Sequence, residues 1–187
     1  MDNIKLKENN KVLDMVLISM FAVLISICSW ITIPMAVPFT MQTFAIFCAL
    51  GVLGGKRGTL SLVIYLLLGM VGLPVFSGFK SGVAVLFGPT GGYLIGFLFT
   101  ALSFWIITKV FGSKKFVLAV AMAIGALLYY VFGTAWFVVV YSNTNGAVGI
   151  LQALSMCVFP FIIPDAVKIA LAITVTTVIR QRLKIKD

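Results

Sequence analysis

The segment Ile162–Ala172, which reads IIPDAVKIALA, decides the class of this protein. Two ionisable residues, Asp165 and Lys168, stand in a run that is otherwise apolar. A charge near the middle of a bilayer costs about 2.5 to 3.5 kcal/mol on insertion scales, so such residues usually serve a function. Because residues three apart share a helix face, the two side chains can neutralise each other. We predict that this face lines a ligand site; the alternative is an ion pair that only holds helices together.

The composition of the whole chain indicates a membrane protein. Hydrophobic residues make up 61% of the 187 residues and charged residues only 10%. A single soluble core of this size could not bury so much apolar surface, so the bilayer must act as the solvent. The net charge of +9 does not indicate nucleic-acid binding, because the basic residues flank apolar spans and form no patch. We predict one all-α integral membrane domain over residues 1–187.

Six apolar spans are separated by prolines, turns and short polar segments. They cover approximately residues 12–33, 39–53, 59–73, 93–111, 116–141 and 149–179. Pro34 and Pro38 break the chain after span one, and Pro160 and Pro164 interrupt span six. The glycine-rich segment 77–92 is too polar and too broken to cross as a helix. We therefore predict six transmembrane helices, with a glycine-rich outer loop between spans three and four.

Positive charge is concentrated on one side of these spans. Twelve of the 14 Lys and Arg residues lie before span one, between spans two and three, between spans four and five, or after span six. They are Lys5, Lys7, Lys11, Lys56, Arg57, Lys109, Lys114, Lys115, Arg180, Arg182, Lys184 and Lys186. By the positive-inside rule that side is the cytoplasm. Both termini are therefore expected inside, in a multi-pass protein of the plasma membrane, and the outer loops hold Lys80 alone.

This orientation sets the depth of the charged pair. Asp165 precedes Arg180 by fifteen residues, which is roughly 22 Å of helix and places Asp165 in the outer half of the bilayer. Pro164 directly before Asp165 predicts the first turn of a helix, where proline is tolerated and an acid meets the positive end of the dipole. Further candidates for substrate contact are expected at the same depth. They are Gln42, Thr43, Phe79, Tyr93, Trp136 and Tyr141, with anchoring at the membrane interface as the alternative for each aromatic residue.

Several other functions are disfavoured by missing residues. The sequence has no histidine, and Cys28, Cys48 and Cys157 lie in apolar runs without a CxxC pattern. The usual general base and the usual zinc ligands are therefore absent, and we expect no metal site, no cofactor and no enzymatic activity. Around Lys56 the phosphate-loop pattern fails, since Leu50 stands at its first glycine and Arg57 at its Ser/Thr position. If this is an active transporter, its energy comes from another chain.

Span one carries small residues at helical spacing. Ser19, Ala22 and Ser26 recur at intervals of three and four, and Ala22-x-x-x-Ser26 is a small-xxx-small pattern. Such residues allow two membrane helices to approach closely. We predict that they form the surface on which a partner helix docks.

Four further segments carry a family resemblance. In chain order they are 37–43 (VPFTMQT), 72–76 (GLPVF), 88–97 (GPTGGYLIGF) and 160–168 (PFIIPDAVK). Together they resemble the BioY family, the biotin-binding S components of energy-coupling-factor (ECF) transporters. The resemblance implies six helices with both termini inside, and a biotin pocket near the outer face. It also implies association with a transmembrane coupling subunit, through the small residues of the first helix, and with two ATPases that use ATP. Ala22-x-x-x-Ser26 departs from a strict AxxxA pattern.

Biotin also suits the residues predicted for the site. Its ureido ring offers two N–H donors and a carbonyl, which a carboxylate and an ammonium or amide group satisfy. Its ring and tail are apolar and suit Phe79 and Trp136. Asp165 and Lys168 are expected at a polar end of biotin, and which end each one meets stays open. The alternative function is a self-sufficient secondary carrier or facilitator for a small carboxylate-bearing vitamin.

Overall fold

A computed structural model describes residues 11–146 and 149–183. The described chain folds into eight α-helices: α1 (Lys11–Trp30), α2 (Gln42–Leu53), α3 (Gly55–Val71), α4 (Val83–Phe87), α5 (Gly91–Phe111), α6 (Lys115–Asn145), α7 (Ile150–Cys157) and α8 (Phe159–Leu183). Two short strands, β1 (Thr32–Ile33) and β2 (Phe39–Thr40), and a 3-10 turn at Ser77–Phe79 complete it. Four of the lysines used to predict the orientation, Lys5, Lys7, Lys184 and Lys186, lie outside the described residues.

Four stretches of the described chain are long and apolar enough to cross a membrane. They are Lys11–Trp30, Gly91–Phe111, Lys115–Asn143 and Ile150–Arg182, the last of which joins α7 and α8 across a break at Val158. The two remaining predicted spans are the shorter helices α2, with 12 residues, and α3, with 17. At about 1.5 Å per residue these are about 18 and 26 Å long, less than the hydrocarbon core of about 30 Å. Four of the six predicted spans therefore reach full membrane length.

The break after α1 is a small β hairpin. The predicted all-α class is therefore corrected to a helical fold with one short hairpin. Strands β1 and β2 pair in antiparallel fashion. Pro34 and Pro38 both lie in the connecting loop, where their missing N–H groups remove no ladder hydrogen bond. The backbone N–H of Met41 donates to the carbonyl of Ile31 at 3.1 Å, which holds the hairpin against the end of α1.

The glycine-rich segment 77–92 is ordered and is not a single helix. It runs through the 3-10 turn and α4 into the first turn of α5. The backbone N–H of Gly82 donates to the carbonyl of Gly69 in α3 at 2.7 Å. Just before the segment, the indole N–H of Trp30 at the end of α1 donates to the carbonyl of Pro74 at 2.9 Å. The loop is thereby fastened to the ends of α1 and α3, next to the hairpin.

Helices α5 and α6 pack closely because glycines on each helix make room for rings on the other. A Cβ atom at Gly133 of α6 would lie 2.4 Å from the ring of Tyr93 on α5. A Cβ atom at Gly96 of α5 would lie 3.0 Å from the backbone of Tyr129 on α6. Any larger residue at these two positions would force the helices apart. The glycines therefore set where Tyr93 and Tyr129 stand between the helices.

The start of α8 differs from the sequence-based prediction. This helix begins at Phe159, so Pro164 lies inside it and does not open it. Pro160 occupies the first turn, where a missing N–H costs nothing because that group has no partner within the helix. Asp165 therefore stands six residues, about 9 Å, beyond the helix start. Its charge is balanced by Lys168 on the same helix and by hydroxyl groups of α2 and α6, and not by the helix dipole.

The predicted docking face on α1 is also corrected. Ala22 is 1% exposed and Ser26 is 5% exposed, and both belong to the face that α1 packs against α2 and α3. The Ser26 hydroxyl donates to the carbonyl of Ala22 at 3.0 Å. Of the three small residues only Ser19 is exposed. Ala22 and Ser26 therefore serve close packing within this chain, and the outward face of α1 carries Ser19 and larger apolar residues such as Met15, Met20 and Val23.

Candidate ligand-binding site

A cavity of about 410 Å³ lies under the hairpin and the glycine-rich segment, at one end of the helix bundle. Its walls come from the hairpin, the segment 76–90 and helices α2, α5, α6, α7 and α8. The polar lining residues are Thr32, Thr40, Gln42, Thr43, Ser77, Lys80, Thr90, Tyr93, Tyr129, Tyr130, Asp165 and Lys168. Apolar lining residues include Met35, Val37, Phe76, Leu94, Phe97 and Phe161. A cavity of this size, apolar with a few placed polar groups, is typical of small-molecule sites.

The charged pair that the sequence singled out lies in this cavity wall. Asp165 and Lys168 are each 4% exposed, and the Lys168 Nζ to Asp165 Oδ1 distance is 2.8 Å. The pairing on one helix face is confirmed. Since a buried charge without a partner is strongly unfavourable, each residue compensates the charge of the other in an apolar bundle.

The carboxylate of Asp165 accepts four hydrogen bonds from three helices. Its Oδ1 accepts from Lys168 and from the Thr43 hydroxyl at 3.3 Å. Its Oδ2 accepts from the hydroxyl of Tyr130 at 2.6 Å and from that of Tyr129. A carboxylate has about four acceptor positions, so groups of the protein itself fill all of them. A ligand donor reaches Asp165 only by replacing one of these partners, of which Tyr130 is the less buried tyrosine.

The ammonium group of Lys168 is saturated as well. Besides Asp165 it donates to the Thr43 hydroxyl at 3.0 Å and to the carbonyl of Thr40 at 2.7 Å. These are three acceptors for three N–H donors. The ammonium group also lies 4.0 Å from the centre of the Phe39 ring, within range for a cation–π contact. Lys168 therefore ties α8 to the hairpin and to the start of α2, and it has no donor left for a ligand.

The amide nitrogen of Gln42 is a donor that the protein does not use. Its side chain lines the cavity, is 3% exposed and has no hydrogen-bond partner for the amide nitrogen. The hydroxyl of Tyr65 is a neighbour, but that oxygen also lacks a partner of good geometry. A buried donor left unsatisfied costs about 1–3 kcal/mol. Because this nitrogen is itself buried, a ligand acceptor in the cavity would recover that cost only after the amide group turned towards it.

The cavity has two ends that differ in exposure. We call the region around Gln42, Asp165 and Lys168 the deep end, because all three residues are almost fully buried. We call the region around Met35 and Lys80 the mouth, because both residues are exposed at the surface of the protein. Polar groups lie at both ends, and apolar side chains complete the lining.

Five of the eight predicted substrate-binding residues line this cavity. They are Asp165, Lys168, Gln42, Thr43 and Tyr93. The residues come from α2, α5 and α8, so the fold gathers positions that are far apart in the chain. Tyr93 is held by a hydrogen bond between its hydroxyl and that of Thr134, at 2.9 Å. Contact between these five residues and a substrate stays a prediction.

The other three predicted residues lie outside the lining. Phe79 is 64% exposed and stacks on Trp30 at 5.1 Å, on the outside of the loop. The indole N–H of Trp136 donates to the carbonyl of Gly88 at 3.0 Å and so supports the loop from behind. Tyr141 stacks on a neighbouring ring of α6. Their aromatic rings therefore stabilise the surroundings of the cavity and do not line it.

Sequence reasoning missed Tyr129, Tyr130 and Lys80 as cavity residues. The two tyrosines stand in the middle of span five, far from the interface layers where tyrosine is common, and two phenol groups at that depth were a usable signal. Lys80 was identified only as the one basic residue of the outer loops. Its position beside the cavity became visible only after the loop was folded over the bundle.

The fold and the cavity define a helical membrane protein with a cavity, open at one end, that suits a small ligand with polar groups. A sequence profile of the BioY family matches residues 3–185. The chain therefore belongs to the BioY family.

Relatives and a solved structure agree with this assignment. The chain is 40% identical to the biotin transporter BioY of Thermotoga maritima over 153 residues, which covers 81% of this chain and 86% of that one. It is 36% identical to the probable biotin transporter BioY of Pyrococcus horikoshii, covering 90% and 94% of the two chains. The crystal structure of an S component for biotin from an ECF-type ABC transporter is similar, with a TM-score of 0.82 and 28% identity, over 94% of this chain and 95% of that one.

Proposed function

We propose that this protein is the substrate-binding S component of an ECF-type vitamin transporter and that its substrate is biotin. The observation that carries the proposal is the cavity of about 410 Å³ with the Asp165–Lys168 pair at its deep end, in a chain of the BioY family. Membership of a transporter family, whose relatives are named biotin transporters, supports transport and not enzymatic catalysis.

The polar groups of the deep end match the ureido ring of biotin. The ring carbonyl accepts from the amide nitrogen of Gln42 once the amide turns this buried, unpartnered group towards the cavity. One ring N–H replaces the Tyr130 hydroxyl on Asp165, since that tyrosine is only partly buried and is the easier of the two to displace. The apolar part of the ligand then lies against side chains such as Phe97 and Phe161. This arrangement gives partners to the ring carbonyl and to one ring N–H, while the second ring N–H and the displaced Tyr130 hydroxyl must pair with other polar groups of the lining.

Energy coupling is expected to come from other chains. We propose that a transmembrane coupling subunit and two ATPases that use ATP drive uptake, and that this chain itself needs no cofactor. Among the described residues no group of His, Cys, Asp and Glu side chains could hold a metal ion. The long apolar helices and their exposed apolar side chains support a location in a membrane, which we propose is the plasma membrane of a bacterial cell.

A panel of ligands offered to the purified protein tests the proposed substrate. Biotin is expected to bind, and lipoate, which has an apolar tail and a carboxylate but no ureido ring, to bind at least about tenfold more weakly. The reason is that lipoate leaves the Gln42 donor unsatisfied, a cost of about 1–3 kcal/mol. Isothermal titration calorimetry measures both affinities. Equal affinity for the two ligands, or no binding of biotin, would contradict the proposal. Uptake of biotin by this chain in vesicles without any ATPase would favour a self-sufficient carrier.

We also propose six membrane-embedded helical segments, with both termini and the basic segments in the cytoplasm. The ion pair between Asp14 and Arg57, at 2.9 Å, supports this topology because it joins the start of α1 to the start of α3 at the same end of the bundle. The cavity lies among the loops that the topology places outside.

Single engineered cysteines test this orientation. Cysteines at Ser81 and Asn143 are expected to react with a membrane-impermeant maleimide on intact cells, while a cysteine at Lys114 reacts only after lysis. All three positions are exposed, and native Cys28, Cys48 and Cys157 are buried, so background labelling is low. Labelling at Lys114 in intact cells would reverse the proposed orientation.

A further inference from the structure

The formal charge of the cavity lining is unbalanced by one unit. Three lining residues are ionised: Asp165 with one negative charge, and Lys168 and Lys80 with one positive charge each. Asp165 and Lys168 neutralise each other directly at 2.8 Å. The remaining net charge of +1 belongs to Lys80, for which the described residues provide no ion-pair partner within salt-bridge distance.

The two lysines differ in what they offer an anion. Lys168 lies at the deep end and already donates to Asp165, Thr43 and the carbonyl of Thr40, so an entering carboxylate finds no free N–H there. It would also stand beside the carboxylate of Asp165, and like charges repel. Lys80 lies at the mouth, exposed, with its side chain free of such contacts. A carboxylate is therefore unfavourable at the deep end and favourable at the mouth.

Lys80 is also held in place by its backbone. The carbonyl of Lys80 accepts from the N–H of Phe76 at 3.0 Å, and the two residues form an isolated antiparallel bridge around the 3-10 turn. Phe76 is 1% exposed and lines the cavity, which anchors this turn in the core. The backbone of Lys80 is thus held in a fixed position, although the Lys80 side chain reaches the surface.

We infer that Lys80 is a specificity-determining residue that pairs with the carboxylate of the bound ligand at the mouth of the cavity. The ligand then lies with its neutral polar ring at the deep end and its carboxylate towards the outer surface. This inference rests on the proposed function and adds to it the direction in which the ligand lies. Among ligands with the same ring, monocarboxylates bind more tightly than neutral amides or esters.

The test compares biotin with biotin amide, which keeps the ring and removes the charge. For Lys80→Met we expect biotin affinity to fall about three- to fivefold, as for an exposed charge pair, and biotin amide affinity to stay unchanged. Lys80→Glu weakens biotin further, because it places a negative charge beside the carboxylate. At a salt concentration of about 1 M the screening length is about 3 Å. We expect the difference in biotin affinity between wild type and Lys80→Met to become smaller under this condition. The matched control is Lys114→Met, an exposed lysine outside the cavity, which leaves both affinities unchanged.

Titration calorimetry on the detergent-purified full chain measures each affinity, and thermal unfolding verifies that each variant is folded. Equal losses for biotin and biotin amide would overturn the inference, since Lys80 would then shape the mouth without binding the carboxylate. Unchanged biotin affinity in both Lys80 variants would overturn it as well. If wild type binds neither ligand, the proposed function itself fails. Failure of the proposed function is thereby distinguished from failure of the inference about Lys80.

Discussion

We expect Asp165→Asn to lower the free energy of unfolding by about 3–5 kcal/mol and biotin affinity by at least about tenfold. The substitution leaves the Lys168 ammonium group, 4% exposed, without its counter-charge, and breaking a buried ion pair by removing one partner has this cost. It also disturbs four hydrogen bonds that join α2, α6 and α8 at the deep end of the cavity. Titration with SDS in mixed micelles measures stability, and calorimetry measures binding.

Asp14→Asn is the matched control, because Asp14 forms the other described ion pair of the chain. Its partner Arg57 lies at 2.9 Å, but the two side chains are 35% and 40% exposed. Solvent screens such a pair, so the loss of stability is expected to stay below about 1 kcal/mol, with biotin affinity unchanged. If Asp14→Asn lowers stability as much as Asp165→Asn does, burial is not what makes the ion pair in the cavity important for stability.

The double variant Asp165→Asn/Lys168→Met separates a binding role from a purely structural one. Removing both charges leaves no unpaired buried charge, so the double variant is expected to be more stable than either single variant. Biotin affinity is expected to stay low, because the ring N–H has lost its carboxylate acceptor. If the double variant regains both stability and affinity, the pair only holds helices together, and the site lies elsewhere in the cavity.

The second large effect is expected at Ala22→Trp, which should destabilise the whole fold. Ala22 is 1% exposed and packs where α1 meets α2 and α3, so an indole ring has no room without moving a helix. Overpacking of a well-packed core costs about 1–3 kcal/mol and more for a change of this size. The yield of monodisperse protein, the unfolding transition and biotin affinity are all expected to fall together.

Ser19→Trp is the control for Ala22→Trp on the same helix. Ser19 is exposed, and its hydroxyl only donates to the carbonyl of Met15 one turn earlier. Stability and biotin affinity should therefore remain at wild-type values. Normal stability of Ala22→Trp together with unfolding of Ser19→Trp would mean that α1 turns a different face to the bundle. If Ser19→Trp keeps its affinity but loses ATP-dependent uptake, the coupling subunit docks on the outward face of α1.

Local spacing explains why much of the site could be predicted. Residues three apart share a helix face whatever surrounds the helix, so the pairing of Asp165 with Lys168 follows from sequence distance alone. Composition and the long apolar spans likewise indicate a membrane protein, because no soluble core could bury them. Gln42, Thr43 and Tyr93 were found because polar residues are rare in such spans and stand out.

Only the tertiary structure decided which way each helix face points. A soluble helix shows its buried side by contrast with a polar side, but a membrane helix is apolar towards lipid and towards its neighbours alike. Ala22 and Ser26 were therefore assigned to an outward face and in fact pack inward. For the same reason the sequence could not show that Tyr129 and Tyr130, 36 and 35 residues before Asp165, donate to its carboxylate. The sequence by itself determined that the chain lies in a bilayer, where most of the spans are, and which two charged residues pair. These features depend on composition and local spacing. Which residues surround that pair depends on helix rotation and loop placement, which only the packed bundle determines.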